Sequence, residues 1–426
     1  MGFADAYLLK AGLRKALVEP GPHPGLKIAV ILPVYNESGL ERCLDSLFRC
    51  SCNSPAENSD RTASSSGFHA EVLILINAPA DAPSSVLEQN RATLEATRNW
   101  IRTHPHPCLE FHVWLDHSFK KKEAGVGSAR KILMDEAARR FSALGRPEGI
   151  IASMDADALV QKNYLEALVT HFEAGPEGCS VRFEHPLEGE EFSPEVYRAI
   201  IQYELHLRYY LQSVRFTGYP FAYHTVGSSF AVRADVYCKE GGMNRRQGGE
   251  DFYFIQKVAQ RGTFSQCNAT CVIPSPRPSD RVPFGTGPAI RRLTECEDPL
   301  MTYNIKPFVM LEKFFGELDR PEKLAGTWPE PLHSFLKEQE FERALEEISG
   351  NSASSAAFRK RFWRWFSMFR IMKFLHFARE RGFPDVPVGE AASQLLRQID
   401  TESRGIPSLA SDLKKLLLVY RMLDLR

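Results

Sequence analysis

The sequence predicts an α/β fold: a doubly wound, mostly parallel sheet followed by a C-terminal helical region. Three observations carry that prediction. Four short apolar runs alternate with longer amphipathic stretches between residues 27 and 154, the pattern of repeated strand–helix units. The fourth run leads into Asp155 and Asp157, two carboxylates separated by one small residue, at what would be a strand end. From Lys306 onward the pattern changes to helical stretches with basic and aromatic faces.

Residues 4–18 read as a short amphipathic helix, closed by the Pro/Gly break from Pro20 to Gly25. Residues 27–34 (KIAVILPV) form an apolar run typical of a strand buried on both faces. Gly39 to Arg49 reads as a helix with Leu40, Cys43, Leu44 and Leu47 on one face. Residues 53–67 are Ser/Asn-rich and read as a surface loop. A strand at 70–77, a helix at 86–103, a strand at 109–115, a helix at 127–144 and a strand at 149–154 follow. Beyond the aspartate pair come a helix at 163–173, a strand at 180–185 and a long Tyr- and Leu-rich helix at 193–214. Residues 358–381 and 408–425 read as helices of the C-terminal region, and a boundary falls near residue 300.

The 426 residues are 43% hydrophobic and 25% charged, the composition of an ordinary globular protein. Lys plus Arg equals Asp plus Glu, 53 each, so no global charge calls for nucleic acid. The nine cysteines lack paired Cys-x-x-Cys spacing and read as buried thiols in a reducing, cytoplasmic setting, with Cys50/Cys52 and Cys267/Cys271 as weaker metal-ligand candidates. No signal pattern or membrane-length apolar run is present in the sequence.

In an extended segment side chains alternate faces, so Asp155 and Asp157 can point the same way. Paired carboxylates suit a hard divalent cation, Mg²⁺ or Mn²⁺, and strand ends of open α/β sheets are where ligands bind. Alone, the stretch equally suits a solvated turn. Four further segments accompany it. Pro33-Val-Tyr35-Asn-Glu37 ends the first strand, and Gly125-Val-Gly-Ser-Ala-Arg130 opens a helix whose small residues allow close backbone approach. Val226-Gly-Ser-Ser-Phe-Ala-Val-Arg233 is a strand begun by small residues, and Gly248-Gly-Glu250-Asp251-Phe sets two acids before a helix.

In this order and spacing the segments resemble the family 2 glycosyltransferases of the GT-A fold, over roughly residues 27–265. The resemblance implies a GT-A, Rossmann-like catalytic domain at 1–300 and a separate helical region at 301–426. It implies transfer of a sugar from a nucleotide-diphosphate donor to an acceptor hydroxyl, the acceptor itself being unspecified. Asp157 would hold Mn²⁺ or Mg²⁺ with help from Asp155, which also lies near the ribose. Asp251 would be the base of an inverting reaction, with Glu250 orienting it or binding the acceptor. Pro33, Tyr35, Glu37 and Arg130 would line the nucleotide pocket. The sequence departs from the family pattern where Asn77 stands in place of an Asp that reads the base, and at Glu123 and Lys131, where Asn is usual. A retaining enzyme, and a non-catalytic nucleotide-sugar binder on the same fold, are the alternatives; a sugar nucleotidyltransferase is weaker because its Gly-rich loop is missing.

Three features lie beside this core. Arg277 and Arg281, in a Pro-rich stretch ending at Gly285 and Gly287, suit a lid over a diphosphate or, alternatively, a domain connector. His224 suits a third metal ligand or a structural role. Residues 358–381 carry so many apolar positions that a core helix is favoured, with peripheral membrane contact as the other reading.

Overall fold

A computed structural model of the chain describes residues 2–12, 16–53, 67–120, 124–244, 248–282, 285–296, 298–399 and 412–425. The chain forms two compact units, Met1–Pro186 with Thr225–Pro288, and Leu187–His224 with Ala289–Arg426. The loop expected at 53–67 and Glu123 lie almost wholly outside the described residues.

The first unit holds, in order, α1 (Asp5–Ala11), β1 (Leu26–Val34), α2 (Leu40–Phe48), β2 (His69–Pro79), α3 (Ser84–Thr103), β3 (Leu109–Phe119), α4 (Val126–Ala143), β4 (Ile150–Ser153), β5 (Leu159–Val160), α5 (Tyr164–Glu173) and β6 (Gly178–Phe183). After the excursion through α6 (Pro194–Phe216) of the second unit come β7 (Phe230–Arg233), α7 (Ala234–Lys239), α8 (Glu250–Ala259) and β8 (Phe264–Ile273). Among the described residues, eight strands make one sheet in the order β3-β2-β1-β4-β7-β6-β8-β5. β3, β2, β1 and β4 run parallel, and so do β6 and β8. β7 runs antiparallel to both β4 and β6, and β5 antiparallel to β8. Four of the seven pairings are therefore parallel, and the expected α/β sheet has a mixed right half.

β1 is central because its sequence is apolar on both faces: every residue from Ile28 to Val34 is buried. β2 repeats that pattern from Ala70 to Ala78. Parallel strands of this kind end on a common edge. The C-terminal ends of β1, β2, β3 and β4, with the start of α4, bring the candidate residues within reach of one another. Helix α1 is shorter than the sequence suggests, because Gly12 takes a left-handed φ of 82° and closes it.

The second unit holds α6, α9 (Thr286–Glu295, its residues from Ala289 on), β9 (Met301–Thr302), α10 (Ile305–Phe315), α11 (Pro321–Leu324), α12 (Leu332–Glu338), α13 (Phe341–Gly350), α14 (Ser355–Trp365), α15 (Met368–Arg379), β10 (Val386–Pro387), α16 (Val388–Ile399) and α17 (Leu413–Asp424). α6 is its spine, packed against α10, α16 and α17. Arg208 of α6 donates to Glu204 at 2.8 Å and pairs with Asp424 of α17, while Arg421 returns to Glu204 at 2.7 Å. The single helix expected at 358–381 is two helices. Phe366 leaves helical backbone, and the break lets Phe362 and Phe366 on one side and Ile371 and Phe374 on the other reach full burial. The helix expected at 408–425 begins at Leu413, where Asp412 caps it by accepting the N–H of Lys415 at 3.0 Å, and residues 408–411 lie outside the described residues.

Candidate active site

Two groups of charges stand at the strand-end edge of the first unit. The first centres on Arg130, the fifth residue of α4. Its guanidinium is buried and pairs with Glu250, itself buried at the start of α8, and through Nη2 donates to Asp155 at 2.8 Å. The anion that Arg130 meets in this structure is thus internal. Glu250 and Asp251 begin α8 after Gly249, whose φ of 72° lets the chain turn sharply into the helix. Asp251 Oδ1 accepts from the backbone N–H of Phe252 at 2.7 Å. Burial and the charge of Glu250 push its carboxyl up to about 6, with Arg130 opposing them.

Gly227 makes that arrangement possible. A Cβ there would lie 2.8 Å from Arg130 Nη2, 2.9 Å from Asp251 Oδ2 and 3.0 Å from Arg130 Nη1. The Gly227 carbonyl is itself fixed by Ser153 Oγ at 2.7 Å. The bare backbone forms one wall against which the arginine and the carboxylate rest.

The second group centres on Glu37 and Asp157. Glu37, buried just beyond β1, accepts from Gly39 N–H at 2.9 Å. Arg277 forks onto both its oxygens at 3.2 and 2.5 Å, and Arg281 adds a bond at 2.8 Å. Arg277 also reaches Asp157 Oδ2 at 3.1 Å, with Arg281 at 3.6 Å, and Arg281 donates to the Tyr35 carbonyl at 3.2 Å. Although 35% of the Asp157 side chain is exposed, its recess and the charge of Asp155 push its carboxyl up to about 7, against the pull of Arg277.

These are conditions a divalent cation relieves: two neighbouring carboxylates whose mutual repulsion the protein leaves incompletely neutralised. Asp155 and Asp157 are the two carboxylates here that would hold a hard cation such as Mg²⁺ or Mn²⁺. Among the described residues the one grouping of three metal-ligating side chains is elsewhere, at Glu71, Glu110 and His112. There Glu71 is already bound by Arg140 through two nitrogens.

Several contributors carry no motif. Asn90, fully buried on α3, accepts the N–H of Asn36 at 2.9 Å and donates to the Asn77 carbonyl and towards His117 Nε2, each at 3.3 Å. It thereby holds Asn36 at a left-handed φ of 48°. Thr93 Oγ1 donates to the Glu37 carbonyl at 2.6 Å. A polar residue on the apolar face of a helix was the only signal available for Asn90. Of the remaining sequence candidates, Pro33 is buried within β1, Tyr35 is half-buried, and Asn77 is buried at the end of β2. His224 belongs to the second unit, where Nε2 bonds Asp424 at 2.8 Å, a structural role. None of the nine cysteines is joined in a disulfide; Cys50, Cys52, Cys267 and Cys271 are buried, and none joins a three-residue metal grouping among the described residues. No helix of the described residues is long and apolar enough to cross a membrane.

No protein-family model matches this chain, and no curated protein matches its sequence. Among solved structures, it is similar to S. aureus TarS, 14% identical with a TM-score of 0.36 over 84% of this chain and 53% of that one. The chain thus spans about half the length of that protein. Residues 1–349 of S. aureus TarS match at 12% identity and a TM-score of 0.37, covering 94% of this chain and 90% of that fragment. The mannosyltransferase PcManGT from Pyrobaculum calidifontis, in complex with GDP-Man and Mn²⁺, matches at 16% identity and 0.36, over 99% and 95% of the two chains.

Proposed function

We propose that this chain is a metal-dependent glycosyltransferase that moves a sugar from a nucleotide-diphosphate donor to an acceptor hydroxyl with inversion. The proposal assigns the chemistry to residues 1–300. One observation carries it: Asp251, whose carboxyl burial and Glu250 push up to about 6, shares one sheet edge with an aspartate pair and with Arg277 and Arg281.

Each group then has a part. Asp251 keeps Oδ1 on the helix N-terminus, leaving Oδ2 to take the acceptor's hydroxyl proton. The acceptor oxygen bonds to the anomeric carbon as the sugar–phosphate C–O bond breaks and the nucleoside diphosphate departs. A carboxyl near 6 is largely ionised at neutral pH yet more basic than an exposed one, which is what a general base requires. Arg130 locks Glu250 and Asp155 in place, so that Glu250 acts as an orienting residue. Asp155 and Asp157 would hold the divalent cation, which supplies charge neutralisation to the leaving diphosphate. Arg277 and Arg281 present planar forks that match phosphate oxygens. Pro33, Tyr35, Glu37 and Asn77 bound the nucleotide pocket in this reading.

The test is a calorimetric titration of nucleoside diphosphates with and without Mn²⁺, on the unmodified chain and on Asp157→Ala. The cation should tighten diphosphate binding in the former and not in the latter. Equal Mn²⁺-dependent tightening in both proteins refutes the metal assignment.

A further inference from the structure

The chain carries no net charge, yet from Ile348 to Arg379 it contains no acid and seven Lys or Arg residues. Helices α14 and α15 sort these residues by face. Phe358, Phe362, Trp363, Phe366, Ile371, Phe374 and Leu375 turn inward and are buried. Lys360, Arg361, Arg364 and Lys373 turn outward and are exposed. Two of the seven cations are spoken for: Arg359 pairs with Asp319, and Arg379 with Asp385 at 2.9 Å. Lys360, Arg361, Arg364, Arg370 and Lys373 have no carboxylate within 4 Å among the described residues, although α13 alongside carries exposed Glu342, Glu346 and Glu347.

Half-exposed aromatic rings lie among these cations. The Arg370 guanidinium covers the Trp365 ring at 3.7 Å, and Lys373 stands over Phe369 at 5.1 Å. No large apolar side chain of either helix is fully exposed. Such a surface is unsuited to deep insertion into hydrocarbon. It combines unpaired cationic heads with amphipathic rings, the chemistry that settles at an anionic headgroup layer.

We infer that the outer face of α14 and α15 is a docking surface for an anionic lipid bilayer, held by charge and by shallow seating of Trp365 and Phe369. The inference is independent of the glycosyltransferase reading. A bilayer is favoured over a soluble polyanion because rings accompany the charges; a purely electrostatic partner needs none.

The test is flotation of the full chain with phosphatidylcholine vesicles, with and without phosphatidylglycerol. Binding should require the anionic lipid and be lost as salt rises, since exposed charges are screened beyond about 10 Å at 0.1 M salt. Each basic residue near such a surface contributes about fivefold to partitioning, so Lys360→Gln, Arg361→Gln, Arg364→Gln and Lys373→Gln together should weaken it by about 100-fold or more. Circular dichroism reports whether that variant is folded; if it is not, the single reversals Arg361→Glu and Lys373→Glu carry the same comparison. Absence of binding at low salt, or unchanged binding by a folded variant, overturns the inference. So does capture of soluble polyphosphate by a chain that ignores anionic vesicles.

Discussion

Replacing Gly227 with alanine adds one methyl group at the point where the candidate site is most crowded. Its carbon would sit 2.8 to 3.0 Å from three atoms of Arg130 and Asp251, where ordinary contacts begin near 3.4 Å. At least one of the two side chains must retreat by roughly half an ångström or more. Arg130 has little freedom to do so, being tied to Glu250 and to Asp155 at 2.8 Å in a buried setting. Asp251 is the softer partner, held by one backbone bond. Overpacking of this size costs about 1–3 kcal/mol of stability. A catalytic group displaced by about an ångström loses on the order of 10²-fold in turnover. The assay is Mn²⁺-dependent donor hydrolysis, read as kcat, beside urea unfolding. Turnover should fall by about 10²-fold while the folded population at working temperature is preserved. The Gly227→Ala, Asp251→Asn double variant should be little worse than Asp251→Asn alone, because both act through one carboxylate. Full turnover in the alanine variant would refute the wall formed by Gly227 and the role of Asp251 built on it.

Asp251→Asn should lower turnover by about 10²–10⁴-fold with little change in donor affinity. In the unmodified chain turnover should climb as pH rises through about 6, where burial and Glu250 hold the Asp251 carboxyl, and that step should vanish in the Asn variant. The same raised value makes the folded state the tighter proton binder, so this group's contribution to stability declines as pH rises from the ordinary carboxylate range to about 6. Arg277→Ala with Arg281→Ala should weaken diphosphate binding more than nucleoside binding; calorimetry showing equal losses would instead mark the pair as braces for buried Glu37. Asp424→Asn should destabilise the second unit by about 3–5 kcal/mol, since Arg208 loses a buried counter-ion. Burial raises the Asp424 carboxyl, but His224, Arg208 and Gln212 outweigh it and hold it at about 2, so this stability is present above pH 4 and lost as pH falls towards 2, which acid unfolding will report.

The left half of the sheet was legible because β1 and β2 are buried on both faces, while β3, a mostly half-buried edge strand, was marked by its apolar run alone. Their apolar runs at 27–34, 70–77 and 109–115 fall within β1, β2 and β3. The antiparallel placement of β7 was not legible, since four residues of strand carry no sign of which neighbour they will meet. Local motifs marked Asp155, Asp157, Arg130 and Asp251, but not their pairing. Arg277 and Glu37 are 240 positions apart, and no spacing rule reports that a Pro-rich segment folds onto the end of the first strand. Asn90 and Thr93 escaped because their work is done through backbone groups of other elements, which leaves no pattern in the chain.

The ion-pair cluster of α6 has a consequence for biosynthesis. Arg208 reaches across 216 positions to Asp424, and Arg421 across 217 to Glu204. During translation at about 5–20 residues per second, α6 waits roughly 10–40 s before α17 exists to neutralise it. Through that interval a helix bearing two charges destined for burial, Glu204 and Arg208, together with apolar Leu205 and Leu211, lacks its partner. The nascent second unit therefore stands without these closing ion pairs until α17 has been made, so slower elongation between α6 and α17 should lower its folded yield.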